Sequence, residues 1–140
     1  MNRILQVSAA LLAALPSVMA GTCYAIGYVN MNTAGGGIGG GAVSTVMGIQ
    51  LFDPDNRQIA WWQPRLNSDD PSVCGDFVAV ETGNLTQVFE WGATCAPGFT
   101  ECHGAYGDQT HIDGESPQGS TDYYGLGVSA DSECRVNFEC

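Results

Sequence analysis

Residues 134–140 read Cys-Arg-Val-Asn-Phe-Glu-Cys, and they alternate without a break. Cys134, Val136, Phe138 and Cys140 fall on one side, and Arg135, Asn137 and Glu139 on the other. Successive side chains of an extended strand leave on opposite faces, so this stretch predicts a half-buried strand with both cysteines turned inward. The same period of two recurs upstream, and no segment sustains helical spacing. Tyr24–Met31 (YAIGYVNM), Val43–Phe52 (VSTVMGIQLF) and Gln58–Gln63 (QIAWWQ) read as strands. Asp53-Pro54-Asp55-Asn56-Arg57 separates the last two, and proline flanked by Asp and Asn favours a tight reversal. A hairpin is predicted there, and the polar stretch Arg65–Ser72 after it reads as a loop.

A second hairpin is predicted from Asp76–Thr82 and Leu85–Gly92, joined by Gly83-Asn84. Leu85, Phe89 and Trp91 would share its inner face. Thr33–Gly41 contains six glycines and is not expected to be a strand, because backbone entropy opposes it. Nor is it a phosphate cradle, since no Lys-Ser/Thr and no helical pattern follow. Pro97–Gly119 reads as irregular, and Tyr123–Ala130 as the strand before the final one. The fold class expected is all-β: a small antiparallel β-sandwich or open barrel.

Six cysteines, at 23, 74, 95, 102, 134 and 140, all follow residue 20. An even set in a short exported chain predicts three disulfides. Cys95 and Cys102 are expected to close a short loop that reverses at Pro97-Gly98. Cys23 and Cys74 would then join Cys134 and Cys140, in either order. Export is read from Met1–Ala20. A weakly positive start precedes the apolar run Ile4–Leu15, then Pro16 and small or neutral residues before Gly21. The run is shorter than the roughly 20 residues a membrane span needs. The domain organisation expected is a secretory signal over 1–20 and one disulfide-stabilised β domain over 21–140, with the product secreted to the extracellular space.

Charge narrows the partners. Fifteen acidic residues follow the leader against Arg57, Arg65 and Arg135, a net charge of about −12, and the chain has no lysine. Such a surface repels phosphate backbones and anionic membranes, so neither nucleic acid nor membrane insertion is expected.

No Gly-x-Ser-x-Gly elbow or His-Glu-x-x-His helix occurs. If all cysteines are bridged, no free thiol remains for nucleophilic work. No catalytic residue and no cofactor are assigned. His103 and His111, with Asp108, Asp113 and Glu115, fall in one polar segment. His103, His111 and Asp113 are the weak candidates for a metal, with ligand types that suit zinc or copper but spacing that matches no metal motif. Calcium is an alternative for the same oxygen-rich segment. Trp61-Trp62 is the most suggestive binding feature. Alternation sends one indole inward and leaves the other outside, able to stack on a sugar or anchor a protein. Tyr123-Tyr124 is a second candidate pair. Asn84-Leu85-Thr86 is an N-glycosylation sequon on an expected turn.

Together these features predict a small secreted cysteine-rich protein, fungal in type. The expected role is non-enzymatic and effector- or toxin-like, with an extracellular protein or glycan of another organism as partner. A lectin-like carbohydrate-binding domain built on Trp61 or Trp62 is the alternative. A small secreted hydrolase using His103 or His111, with Glu81, Glu90, Glu101 and Arg65 as possible companions, is the second.

Overall fold

A computed structural model describes residues 21–34, 42–65, 68–75, 77–124 and 127–140. The leader expected over 1–20 and residues 35–41 of the glycine run lie outside the described residues. The chain is all-β, with nine strands among the described residues: β1 Thr22–Ala34, β2 Ala42–Phe52, β3 Gln58–Trp62, β4 Val78–Val80, β5 Phe89–Cys95, β6 Phe99–Tyr106, β7 Gln109–Asp113, β8 Gln118–Tyr124 and β9 Gly127–Glu139. They form two antiparallel sheets in a sandwich-like arrangement. One has five strands in the order β3-β2-β1-β9-β8, and the other has four in the order β4-β5-β6-β7.

β1 is the axis of the larger sheet. It pairs with β2 from Tyr24↔Phe52 to Ala34↔Ala42, and with β9 from Thr22↔Glu139 to Thr33↔Val128. Its odd residues Cys23, Ala25 and Val29 are buried, as are Cys134, Val136 and Phe138 of β9. The smaller sheet supplies Val78, Val80, Phe89, Trp91, Ala93, Phe99 and Tyr106 to the same core. Trp91 sits at its centre. Its indole Nε1 donates to the Val73 carbonyl at 3.1 Å, its ring meets Phe99 edge-on, and it lies so close to Gly27 that no Cβ would fit there. Phe89 and Tyr106 both pack on Phe138, so the sheets meet through aromatic contacts. The buried Ser132 hydroxyl on β9 accepts from the Phe99 amide at 2.9 Å, a polar tie across the sandwich.

Several expectations need correction. Thr33 and Ala34 extend β1, because Thr33 pairs with both β2 and β9 and Ala34 with β2, which outweighs the local preference of the adjoining glycines. Val80 pairs with Phe89, so residues 81–88 join β4 to β5 rather than a two-residue Gly83-Asn84 turn, and Leu85 lies in that connection. The supposedly irregular segment 97–119 contains β6, β7 and the start of β8. Gly104 reads locally as a breaker, yet it faces inward where a Cβ would crowd Phe89 and Val136. Gly107, at φ 60°, turns β6 directly into β7, the left-handed conformation that glycine adopts cheaply. A strand over 123–130 is replaced by a break: β8 ends at Tyr124 and β9 starts at Gly127.

All six cysteines are bridged, as Cys23–Cys140, Cys74–Cys95 and Cys102–Cys134. The expected Cys95–Cys102 bond is therefore wrong, and so is any bond from Cys74 to Cys134 or Cys140. In the β5–β6 pair Cys102 lies opposite Ala93 and Cys95 opposite Phe99, so the two cysteines are out of register. Cys102 instead points across the core to Cys134 and ties the sheets together. Cys23–Cys140 fastens β1 to the end of β9, where the Cys140 amide also donates to the Gly21 carbonyl.

Two loops are organised by an aspartate that accepts from an arginine and from backbone amides. Asp53 accepts from the backbone amides of Asp55 and Arg57 and from the Arg57 guanidinium, closing the predicted β2–β3 turn, with Asn56 at φ 61°. Asp70 accepts from the Arg65 side chain and backbone amide. The Arg65 hydrogen bonds hold its carboxyl well below the usual carboxylate range. A depressed folded-state pKa contributes stability above the ordinary Asp value and loses it as pH falls through the lowered one. The expected result is an Asp70 titration by NMR below that of exposed aspartates, moving upward in Arg65→Gln. An unchanged midpoint in that variant would contradict the clasp.

Candidate functional site

The outer face of the five-stranded sheet brings one sequence candidate together with residues that no local pattern singles out. Trp61 lies opposite Gln50 on β2, Gln50 opposite Ile26 on β1, and Ile26 opposite Arg135 on β9. In the next row Tyr28 lies between Gly48 and Glu133, and in the row beyond it Asn30 lies opposite Asp131. An open groove of about 520 Å³ runs over this face, lined by Ile26, Tyr28, Asn30, Gln50, Asp131 and Glu133 among others.

Alternation explains the division of the two indoles. Trp62 pairs with Ile49 and packs against the core, whereas Trp61 is 58% exposed on the outer face. Trp61 is nevertheless held in place, for its Nε1 donates to the Tyr28 hydroxyl at 3.0 Å. That bond spans β2, and Gly48 makes it possible. A Cβ at Gly48 would stand 2.5 Å from the Tyr28 hydroxyl oxygen, so any side chain there would push the phenol aside. The edge of the indole is thereby satisfied by protein, and its broad apolar ring remains largely open to solvent.

Polar groups border this aromatic pair. Asn30 donates to Asp131 across β1 and β9. Neither Asp131 nor Glu133 is in an ion pair among the described residues. Arg135, the single cation of the face among the described residues, is committed elsewhere. Its guanidinium lies 3.8 Å from the Tyr24 ring centroid and its Nε donates to Asn137. Tyr24 in turn stacks on Phe52.

The other sheet gathers the histidines. His103 on β6 pairs with Asp113 on β7, and His111 precedes Asp113 by two, so all three share the outer face. The His103 and His111 rings stack with centroids 5.1 Å apart, and His111 Nε2 lies 3.0 Å from Asp113 Oδ1. Phe77, 65% exposed, meets His103 edge-on. The histidines therefore stand on adjacent strands rather than in a loop. Among the described residues no group of three His, Cys, Asp or Glu side chains is placed to hold a metal ion. Glu101 lies near this cluster, bonded to Thr94, and Asp108 occupies the β6–β7 turn. Glu90 on β5 shares the outer face with His103, one row away opposite Ala105, whereas Glu81 and Arg65 lie in connections outside the strands. Tyr123 and Tyr124 close β8 opposite Val128 and Gly127. Asn84 is exposed in the β4–β5 connection, where its amide donates to the Ile59 carbonyl and to Thr82.

Sequence reasoning missed Tyr28, Gln50, Asp131 and Glu133. Their outward alternation was readable in part, but their adjacency to Trp61 depends on which strands neighbour β1. Three disulfides point to an oxidising extracellular compartment. Among the described residues no helix is long and apolar enough to cross a membrane. In comparisons with known proteins, no family model, curated protein or solved structure matches this chain.

Proposed function

We propose that this chain is an exported, non-enzymatic recognition protein, acting outside the producing cell on a partner from another organism. Its recognition surface is the outer face of the five-stranded sheet, and a glycan is the ligand class best suited to that face. The observation carrying this reading is Trp61, a solvent-facing indole fixed in orientation by Tyr28. A pyranose ring has an apolar C–H face and a rim of hydroxyls. The open indole suits the first, while Gln50, Asn30 and the carboxylates suit the second. Preorganisation matters because a ring already held in place loses little conformational freedom on binding. Protein partners also use aromatic anchors, but a face this polar, with an exposed indole at its β3 edge, favours a saccharide over a packed protein interface. Effector- or toxin-like action follows from export and from recognition of a foreign partner.

A hydrolase built on His103 or His111 has less support. Both side chains of the His111–Asp113 pair are largely in water, at 63% and 91% exposure. Solvent there screens the fields that a catalytic acid–base pair exploits.

The test is a glycan array followed by calorimetry on the full protein. Trp61→Ala is expected to weaken binding of a glycan ligand about 30-fold, the loss typical of an aromatic hot spot. Replacing His103 and His111 together with Ala should leave affinity unchanged. Retention of full affinity by Trp61→Ala would overturn the assignment of this face.

A further inference from the structure

We infer that the ligand of the Trp61 face is a glycan carrying free amino groups, an amino-sugar polymer in its deacetylated, cationic form. This rests on the proposed glycan-binding role and names its charge class. Three observations carry it. The aromatic pair Trp61–Tyr28 provides a flat apolar surface with a fixed orientation. Asp131 and Glu133 stand on the same face, two residues apart on β9, beside Tyr28 and Asn30. Neither carboxylate is neutralised by an ion pair among the described residues, and Arg135 is withdrawn onto Tyr24 and Asn137.

The charges decide between classes of sugar. An acidic glycan would meet two unpaired carboxylates and the field of a chain with no lysine and a net charge of −11. Like charges on approach suppress such a partner. A neutral glycan would use the indole and the amides but leave both carboxylates without a counter-charge. A hexosamine oligomer presents an ammonium on each ring, so the C–H face of one ring can cover the indole on β3 while the ammonium of another ring donates to a carboxylate on β9, three strands away. Charge-assisted bonds of this kind are shorter and stronger than neutral ones. The acidity of the whole molecule then raises the encounter rate with a polycation.

The experiment titrates the full disulfide-intact protein with three hexasaccharides of equal length: glucosamine, N-acetylglucosamine and glucose oligomers. Calorimetry is the readout, because Trp61 variants lose the fluorescent reporter. The glucosamine oligomer is expected to bind tightest, and to weaken as sodium chloride rises from about 20 to 300 mM, where screening shortens the reach of exposed charges. Glu133→Gln and Asp131→Asn together should weaken it about three- to tenfold, the scale of two exposed charge contacts. Glu133→Gln alone keeps the Asn30–Asp131 bond, so a partial loss there separates charge from misfolding. Glu90→Gln removes one charge from the opposite sheet and should have no effect. Equal weakening by Glu90→Gln would overturn the local site in favour of bulk attraction. Equal or tighter binding of the acetylated or glucose oligomer, indifferent to Glu133→Gln, would overturn the cationic class while leaving the Trp61 face intact. Absence of binding by all three would overturn the amino-sugar class, and binding unaffected by Trp61→Ala would overturn the Trp61 face together with it.

Discussion

Trp91→Ala is expected to lower the unfolding free energy by about 3–5 kcal/mol, the usual cost of removing a large buried aromatic side chain. The domain as a whole should hold only about 5–15 kcal/mol, so the loss takes a large share of its stability. The effect has two physical parts. The indole fills the space between Gly27 on one sheet and Phe99 on the other, and neither neighbour can move in to close it. Its Nε1 also satisfies the Val73 carbonyl, which is left without that donor when the ring is removed. Trp91→Phe separates the two parts. It keeps much of the apolar volume but loses the hydrogen bond, and should cost about 1–3 kcal/mol. Urea titration followed by far-UV circular dichroism measures both. A Trp91→Ala midpoint indistinguishable from that of the parent would refute the placement of this side chain at the centre of the sandwich.

The second large effect concerns the disulfides. Each bridge restricts the unfolded chain, and the restriction grows with the loop it closes. The sequence separations are 117 for Cys23–Cys140, 32 for Cys102–Cys134 and 21 for Cys74–Cys95. Loop-closure entropy then assigns about 5, 4 and 3 kcal/mol in that order. Paired Cys→Ala variants, compared by denaturant midpoint, should be destabilised in the same sequence. The ranking distinguishes this mechanism from a packing one, because Cys102–Cys134 is the bridge enclosed between the sheets. If its loss costs more than that of Cys23–Cys140, core packing outweighs chain entropy here. Reduction of all three removes a contribution comparable to the whole stability of an ordinary domain, so the fully reduced protein is expected to lose its near-UV signal.

Much of the strand content was legible from period-two alternation, because that signal is local. The β2–β3 hairpin was readable for the same reason: Asp53, Pro54, Asn56 and Arg57 build their own turn, and the observed bonds lie within it. The β6–β7 hairpin was not readable. Its inward positions carry Cys102, Gly104 and Tyr106, and a glycine at a core position looks like a loop unless the Phe89 ring above it is known. β8, with the sequence Gln-Gly-Ser-Thr-Asp-Tyr-Tyr, is polar because it is the last strand of its sheet and needs no inner apolar row of its own. Composition alone cannot distinguish such a strand from a coil.

The candidate site divides in the same way. That Trp61 and Trp62 face opposite sides follows from strand geometry alone. Which of them reaches solvent depends on the Ile49↔Trp62 pairing, which turns Trp62 toward the core. Gln50 reaches Trp61 from the other strand of its own hairpin, but Tyr28 lies 33 residues away in the chain, and the acidic pair from β9 reaches the face only because β9 closes against β1.

Alternating side chains, turn residues and an even set of cysteines were enough to specify a disulfide-bridged β protein, since each acts on its immediate neighbours. The partners of those cysteines, the exposed indole and its acidic company were decided by strand order and register. These are set by burial and pairing between segments distant in the chain, and no short window of residues contains that information.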